Sequence, residues 1–170
     1  MPRWGRRKKT MKKTTIYEAV RWISAALVVT LIIGHGLKNR TSRAPFEDVA
    51  AAVTPIIQSD AVKEADAQLV KRLYGLNPAD YEGCLLYAPV SNMDAEELLL
   101  VKVGDLSQQE ALTAAAEKRL QTQKNAFDGY GTNQFALLTD HSAIRAVGNY
   151  FLFVVSARDA EALAAFSAAL

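Results

Sequence analysis

The chain has 170 residues, one cysteine, two histidines and a formal net charge of +2. One cysteine excludes an intramolecular disulfide, and the scarcity of thiols, imidazoles and phosphate-cradling glycines argues against most familiar catalytic chemistries. The small net charge hides a division: residues 1–43 carry eleven Lys/Arg and one Glu, whereas 44–170 carry nine Lys/Arg and seventeen Asp/Glu. An acidic C-terminal portion repels nucleic acid, so no nucleic-acid partner is expected.

Residues 1–16 read as a basic cytosolic tail. Arg6-Arg7-Lys8-Lys9 has no interleaved aromatics and precedes an apolar run, so it serves as a topology signal rather than a nucleic-acid patch. The arginine pair is followed by lysines and lies well upstream of that run, unlike a twin-arginine export signal. From Trp22 to Leu37 no side chain carries a formal charge. Those sixteen residues span roughly 24 Å at about 1.5 Å per residue, and extension back to Tyr17 brings in interfacial aromatics. A single transmembrane helix over 17–37 is the expectation. Eight Lys/Arg precede the apolar run and Lys38, Arg40 and Arg43 follow it, which keeps the N-terminus cytoplasmic and the C-terminal domain extracytoplasmic. The competing reading is a cleaved secretory signal, but Ser42-Arg43-Ala44 is followed by Pro45, a poor residue after a cut. A lipid anchor needs a cysteine just after the run, and the one cysteine is Cys84.

Residues 38–44 form a short polar tether, and 45–170 one extracytoplasmic domain. Phe46, Val49, Val53, Ile56 and Ile57 recur at helical spacing, predicting a helix over 46–58. Asp66 can cap a second helix running through Leu69, Val70 and Leu73 to Gly75. Residues 76–83 read as a turn region, 84–90 as a strand closed by Pro89, and 96–103 as a strand apolar on both sides and therefore covered on both. Ser107 and Glu110 match a capping box opening a helix that ends near Phe127. Residues 134–139 read as a strand. Residues 143–147 and 150–155, separated by Gly148-Asn149, form a hairpin, and a last helix carries Leu163, Phe166 and Leu170 on one side. The predicted order is α-α-β-β-α-β-β-β-α. Neighbouring strands joined by short turns predict an α+β fold, an antiparallel sheet with helices packed on it, preceded by the transmembrane helix.

Four stretches carry a resemblance: residues 73–83 (LYGLNPADYEG), 91–98 (SNMDAEEL) with Val101-Lys102-Val103, 123–131 (QKNAFDGYG), and Gly148-Asn149-Tyr150 with 153–156 (FVVS). They resemble an uncharacterised domain family of clostridial and related Gram-positive bacteria over most of 46–168. Its members look like extracytoplasmic domains held by a lipid-modified cysteine or one membrane helix. The resemblance implies location and no chemistry, and this chain lacks the lipoprotein cysteine.

Cys84 with His141 and Asp140 is the one candidate thiol arrangement, and a small buried hydrophobe is the competing role for Cys84. Asp94, Glu96 and Glu97 cluster near Asp80 and Glu82, either as hard-cation ligands or as a solvated acidic rim. Tyr87, Tyr130 and Tyr150, with Tyr74 and Tyr81, lie at strand ends or turns, where they offer a ligand surface or wedge helix against sheet. The candidate ligand surface is therefore Tyr87, Tyr130, Tyr150, Asp94, Glu96 and Glu97, with no catalytic residue, metal or cofactor assigned. The expectation is a membrane-anchored, non-enzymatic extracytoplasmic binding module, its partners the membrane through one helix and another envelope protein. The alternatives are an envelope hydrolase or transferase using acidic residues, and an accessory subunit of a membrane complex. His35 within the apolar run is expected at the membrane interface.

Overall fold

Five antiparallel strands with helices against both faces make up the domain in a computed structural model that describes residues 41–170 together with Arg21, Trp22 and Ser24. The chain divides into two units, Met1–Lys38 and Asn39–Leu170, and the second holds the whole sheet. The basic tail, nearly all of the predicted transmembrane helix, His35 and the first three residues of the tether lie outside the described residues. Among the described residues no helix is long and apolar enough to cross a membrane.

In chain order the elements are α1 (Phe46–Ile57), β1 (Val62–Glu64), α2 (Ala67–Tyr74), a 3-10 turn (Pro78–Asp80), β2 (Gly83–Pro89), β3 (Glu97–Lys102), α3 (Gln108–Phe127), α4 (Thr132–Asp140), β4 (Ser142–Val147), β5 (Tyr150–Val155) and α5 (Asp159–Ala168). The strand order is β1-β2-β3-β5-β4, every neighbour antiparallel. The α+β expectation therefore holds, with helices on both faces.

β3 and β5 occupy the centre because both of their faces are apolar. Leu99 and Val101 of β3 join Phe151, Phe153 and Val155 of β5 beneath α2, α3 and α4. The alternate residues Leu98, Leu100, Leu152 and Val154 pack with Val49, Val53, Ala162 and Phe166 of α1 and α5. This is the period-two alternation of a strand applied to two cores. The β4–β5 connection is the predicted two-residue turn; Gly148 takes φ 56° at its first position, as a type II′ turn requires. α2 opens on Asp66, whose Oδ1 accepts from Leu69 N at 2.8 Å, and closes on Gly75 at φ 71°.

Three expectations are corrected. Residues 134–139 belong to helix α4, not to a strand. Between Thr132 and Thr139 there is no β-branched residue, so Phe135-Ala-Leu-Leu138 folds as a helix burying Leu138. The short strand β1 has no counterpart in the predicted order: only Val62 of its three residues is buried, and its pairing with Pro89, Ala88 and Tyr87 is long-range. The capping box of α3 lies two residues earlier than predicted. Ser107 itself has helical backbone angles and makes no side-chain cap. Asp105 Oδ1 accepts from Ser107 N at 2.8 Å while Gln108 Oε1 accepts from Asp105 N at 3.3 Å, the same reciprocal device built from Asp-x-x-Gln.

At the end of the sheet where Lys102 and Tyr150 pair, the incoming chain is clamped. Ser42 N donates to Asn149 Oδ1 at 2.7 Å, and Ser42 Oγ donates to the Leu170 carbonyl at 3.1 Å. The Ala44 carbonyl accepts from Lys102 Nζ at 3.2 Å and from Tyr150 Oη at 2.8 Å. Glu97, Val155, Ser142 and Pro89 mark the opposite end.

Candidate functional site

Glu97, the first residue of β3, points to the same side as Leu99 and is fully buried. An isolated carboxylate there would cost several kcal/mol, so its partners decide whether the arrangement folds. Three side chains supply them. Arg119 Nε lies 3.2 Å from both carboxylate oxygens and Nη2 lies 2.8 Å from Oε2. Gln123 Nε2 donates to Oε2 at 3.0 Å, and Tyr74 Oη donates to Oε1. Burial acts against the Arg119 charge, but the hydrogen bonds and charge of Glu97 outweigh it and raise its pKa. Burial first, and then the Glu97 charge, push the Tyr74 phenol well above its ordinary value. A carboxylate so saturated is a tie between α2, α3 and the sheet. It has no free lone pair with which to take a substrate proton.

Beside this cluster, α2 and α3 part over the end of β2 to leave a cleft of about 390 Å³. Leu69, Leu73, Ala88 and Phe127 supply apolar wall, while Arg119 and Gln123 bring the buried cluster to its lining. Lys63 from β1 and Arg72 from α2 stand at the cleft, both exposed and without an ion-pair partner among the described residues. Gln123, 5% exposed, leaves its Oε1 buried without a hydrogen-bond partner. The loop after β2 forms one lip. It is ordered by Met93 N donating to Ser91 Oγ at 3.1 Å and Ala95 N donating to Gln134 Oε1 of α4 at 3.0 Å. A shallower depression of about 250 Å³, lined by Met93, Tyr130 and Gln134, shares Phe127 with the cleft.

The residues singled out from sequence fall in different places. Asp94 lines the cleft, half-buried. Glu96 faces the other side of the sheet, accepting from Ser156 Oγ at 2.7 Å and Ser59 Oγ at 3.3 Å. Glu97 is inside, so the three carboxylates do not converge, and among the described residues no group of three potential ligands could hold a metal ion. Tyr87 is half-buried against the α1/α5 core. Tyr150 is buried there too, edge-on to Phe166 with ring centroids 6.5 Å apart. Tyr130 alone of the three is exposed, tilted against Phe127 at 6.1 Å. Cys84 is the second residue of β2, at the Lys102 end of the sheet, while His141 precedes β4 at the other, so no thiol–imidazole pair forms. His141 Nδ1 lies 3.2 Å from Asp159, not Asp140, and burial pushes the Cys84 thiol up to about 11. Sequence reasoning missed Arg119 and Gln123. Their signal is present in the chain: residues 112, 116, 119, 123 and 127 trace one helical stripe in which those two interrupt an apolar series.

An antiparallel sheet covered on both faces, with a buried ionic tie flanking a half-open cleft, defines the molecule as an α+β sandwich domain carrying one candidate ligand site. Over residues 57–156 the chain matches the family described as Domain of unknown function (DUF4358), and it belongs to that family. No curated protein matches it, and no solved structure does.

Proposed function

We propose that this chain is a membrane-anchored, extracytoplasmic binding module that holds a partner in the cleft between α2 and α3 without transforming it. The observation that carries the reading is the placement of the cleft. It opens at the Pro89 and Glu97 end of the sheet, a strand length of roughly 17 Å from the Lys102 end where Ser42 enters the domain. The cleft therefore lies at the opposite end of the sheet from the point where Ser42 enters the domain, open to a second molecule. A basic segment before a sixteen-residue uncharged run supports the anchor and its orientation. Asp94 is the one carboxylate among the described residues lining the cleft, whereas acid–base hydrolysis calls for a second within reach.

Two experiments test this. Protease added to intact cells removes the domain if it is extracytoplasmic; survival in intact cells with loss after lysis overturns the location. Affinity capture with the full-length protein retrieves a partner that Lys63→Glu/Arg72→Glu fails to retain; equal retention by that variant overturns the cleft as the binding site.

A further inference from the structure

We propose that the occupant of the cleft is an extended peptide segment bearing a carboxylate flanked by apolar residues. This deepens the binding-module reading and rests on it. Charge is the first ground. Residues 44–170 hold nine cations against seventeen acids, yet two of the nine, Lys63 and Arg72, stand at one cleft without an ion-pair partner among the described residues. The surrounding negative field turns away extended polyanions, while two local cations suit a single carboxylate.

Chemistry separates a peptide from a simple anion. A simple inorganic anion such as sulfate offers acceptors only, with no N–H for Asp94 and no apolar surface. The cleft presents donors at Lys63 and Arg72 and an acceptor at Asp94. A peptide supplies both the carboxylate and the N–H groups that such a mixture needs.

The rim supplies the apolar half of the specificity. Apart from Trp22, the large exposed hydrophobics among the described residues are Val90, Met93, Tyr130 and Phe135, at 55%, 60%, 64% and 36% exposure. Val90 lines the cleft, and Met93 and Tyr130 line the depression joined to it through Phe127. An adaptable methionine and a rigid tyrosine thus adjoin, across Phe127, the cleft whose lining includes the two cations.

The test uses full-length protein in detergent micelles against bead-bound random hexapeptides, one set with free and one with amidated C-termini. Captured sequences should be enriched in Asp or Glu beside Leu, Val or Phe, or confined to the free-terminus set. Retention after amidation identifies an acidic side chain as the carboxylate, and loss identifies the chain terminus. Lys63→Glu/Arg72→Glu, with an unchanged circular dichroism spectrum, should weaken the best sequence about a hundredfold, roughly tenfold for each charge-assisted contact. Met93→Ser/Tyr130→Ser should weaken it about tenfold by removing apolar contact. Enrichment of neutral-amidated or basic sequences, undiminished binding by the double charge variant, or displacement by inorganic phosphate as effective as by free peptide would overturn the proposal. A protein that captures no peptide but still retrieves a cellular partner through the cleft loses this ligand class and keeps the binding role. Failure in both assays removes both.

Discussion

The two faces of the sheet are made from alternate residues of the same strands, yet they are held in different ways. Beneath α1 and α5 the contact is apolar: Leu98, Leu100, Leu152 and Val154 meet Val49, Val53 and Phe166. Beneath α2 and α3 the apolar layer is interrupted at Glu97, and the helices are fixed by a buried ion pair with two further hydrogen bonds. The apolar face gains stability from area removed from water and tolerates sliding among similar side chains. The other face gains little net stability from its ion pair but sets where α2 and α3 stand, and the cleft lies between those two helices.

Substitution should expose the difference most sharply through rescue. Phe166→Ala is expected to cost about 3–5 kcal/mol, as an unfilled cavity does, and Arg119→Met about as much by leaving Glu97 unpaired. Adding Glu97→Leu, Tyr74→Phe and Gln123→Leu to Arg119→Met should restore most of the loss, because an apolar set then replaces the whole buried polar cluster and strands no donor. If urea unfolding followed by circular dichroism shows no rescue, the two faces do not differ as described.

Tyr74→Phe comes next, at about 1.5–3 kcal/mol for a hydrogen bond to a buried charge. It also carries a pH signature. In the folded chain the phenol keeps its proton well beyond its ordinary value of 10.0, whereas in the unfolded chain it ionises there. The contribution is whole below pH 10 and is lost as pH rises above it. Alkaline unfolding should therefore be less steep in Tyr74→Phe; an identical slope contradicts the burial of this phenol.

Asp105→Ala should lower stability measurably by uncapping the helix that carries Arg119 and Gln123, and Ser107→Ala should leave it unchanged. The reverse ranking would reinstate the cap expected from Ser107-x-x-Glu110. The mildest probe is chemical. With its thiol pushed up to about 11, Cys84 should alkylate slowly at neutral pH and faster by about tenfold per pH unit on approach to that value. Rapid labelling near pH 7 would show a thiolate that the apolar strand does not allow.

The sheet's centre is legible in the sequence because β3 and β5 are apolar at nearly every position, and because Gly148-Asn149 admits few turns. Whatever depends on distant partners is hidden. β1 has one buried residue and no pattern of its own. The run Phe135-Ala-Leu-Leu138 suits strand or helix, and packing decides. Glu97 sits in an acidic stretch that reads as solvated, although its place in register with Leu99 and Val101 puts it indoors. The cleft is less legible still. Asp94 and Tyr130 stand out in the chain, but Lys63, Arg72 and Gln123 come together only through the placement of β1, α2 and α3.

The clamp at Ser42 and Ala44 has a mechanical consequence. Force applied along the chain from its N-terminal side reaches Lys102 and Tyr150, the paired terminal residues of β3 and β5, through the Ala44 carbonyl. Through that carbonyl the load reaches the two most enclosed strands of the sheet, where neighbouring ladders share it, while Ser42 passes a further part to Asn149 in the β4–β5 turn and to the Leu170 carbonyl.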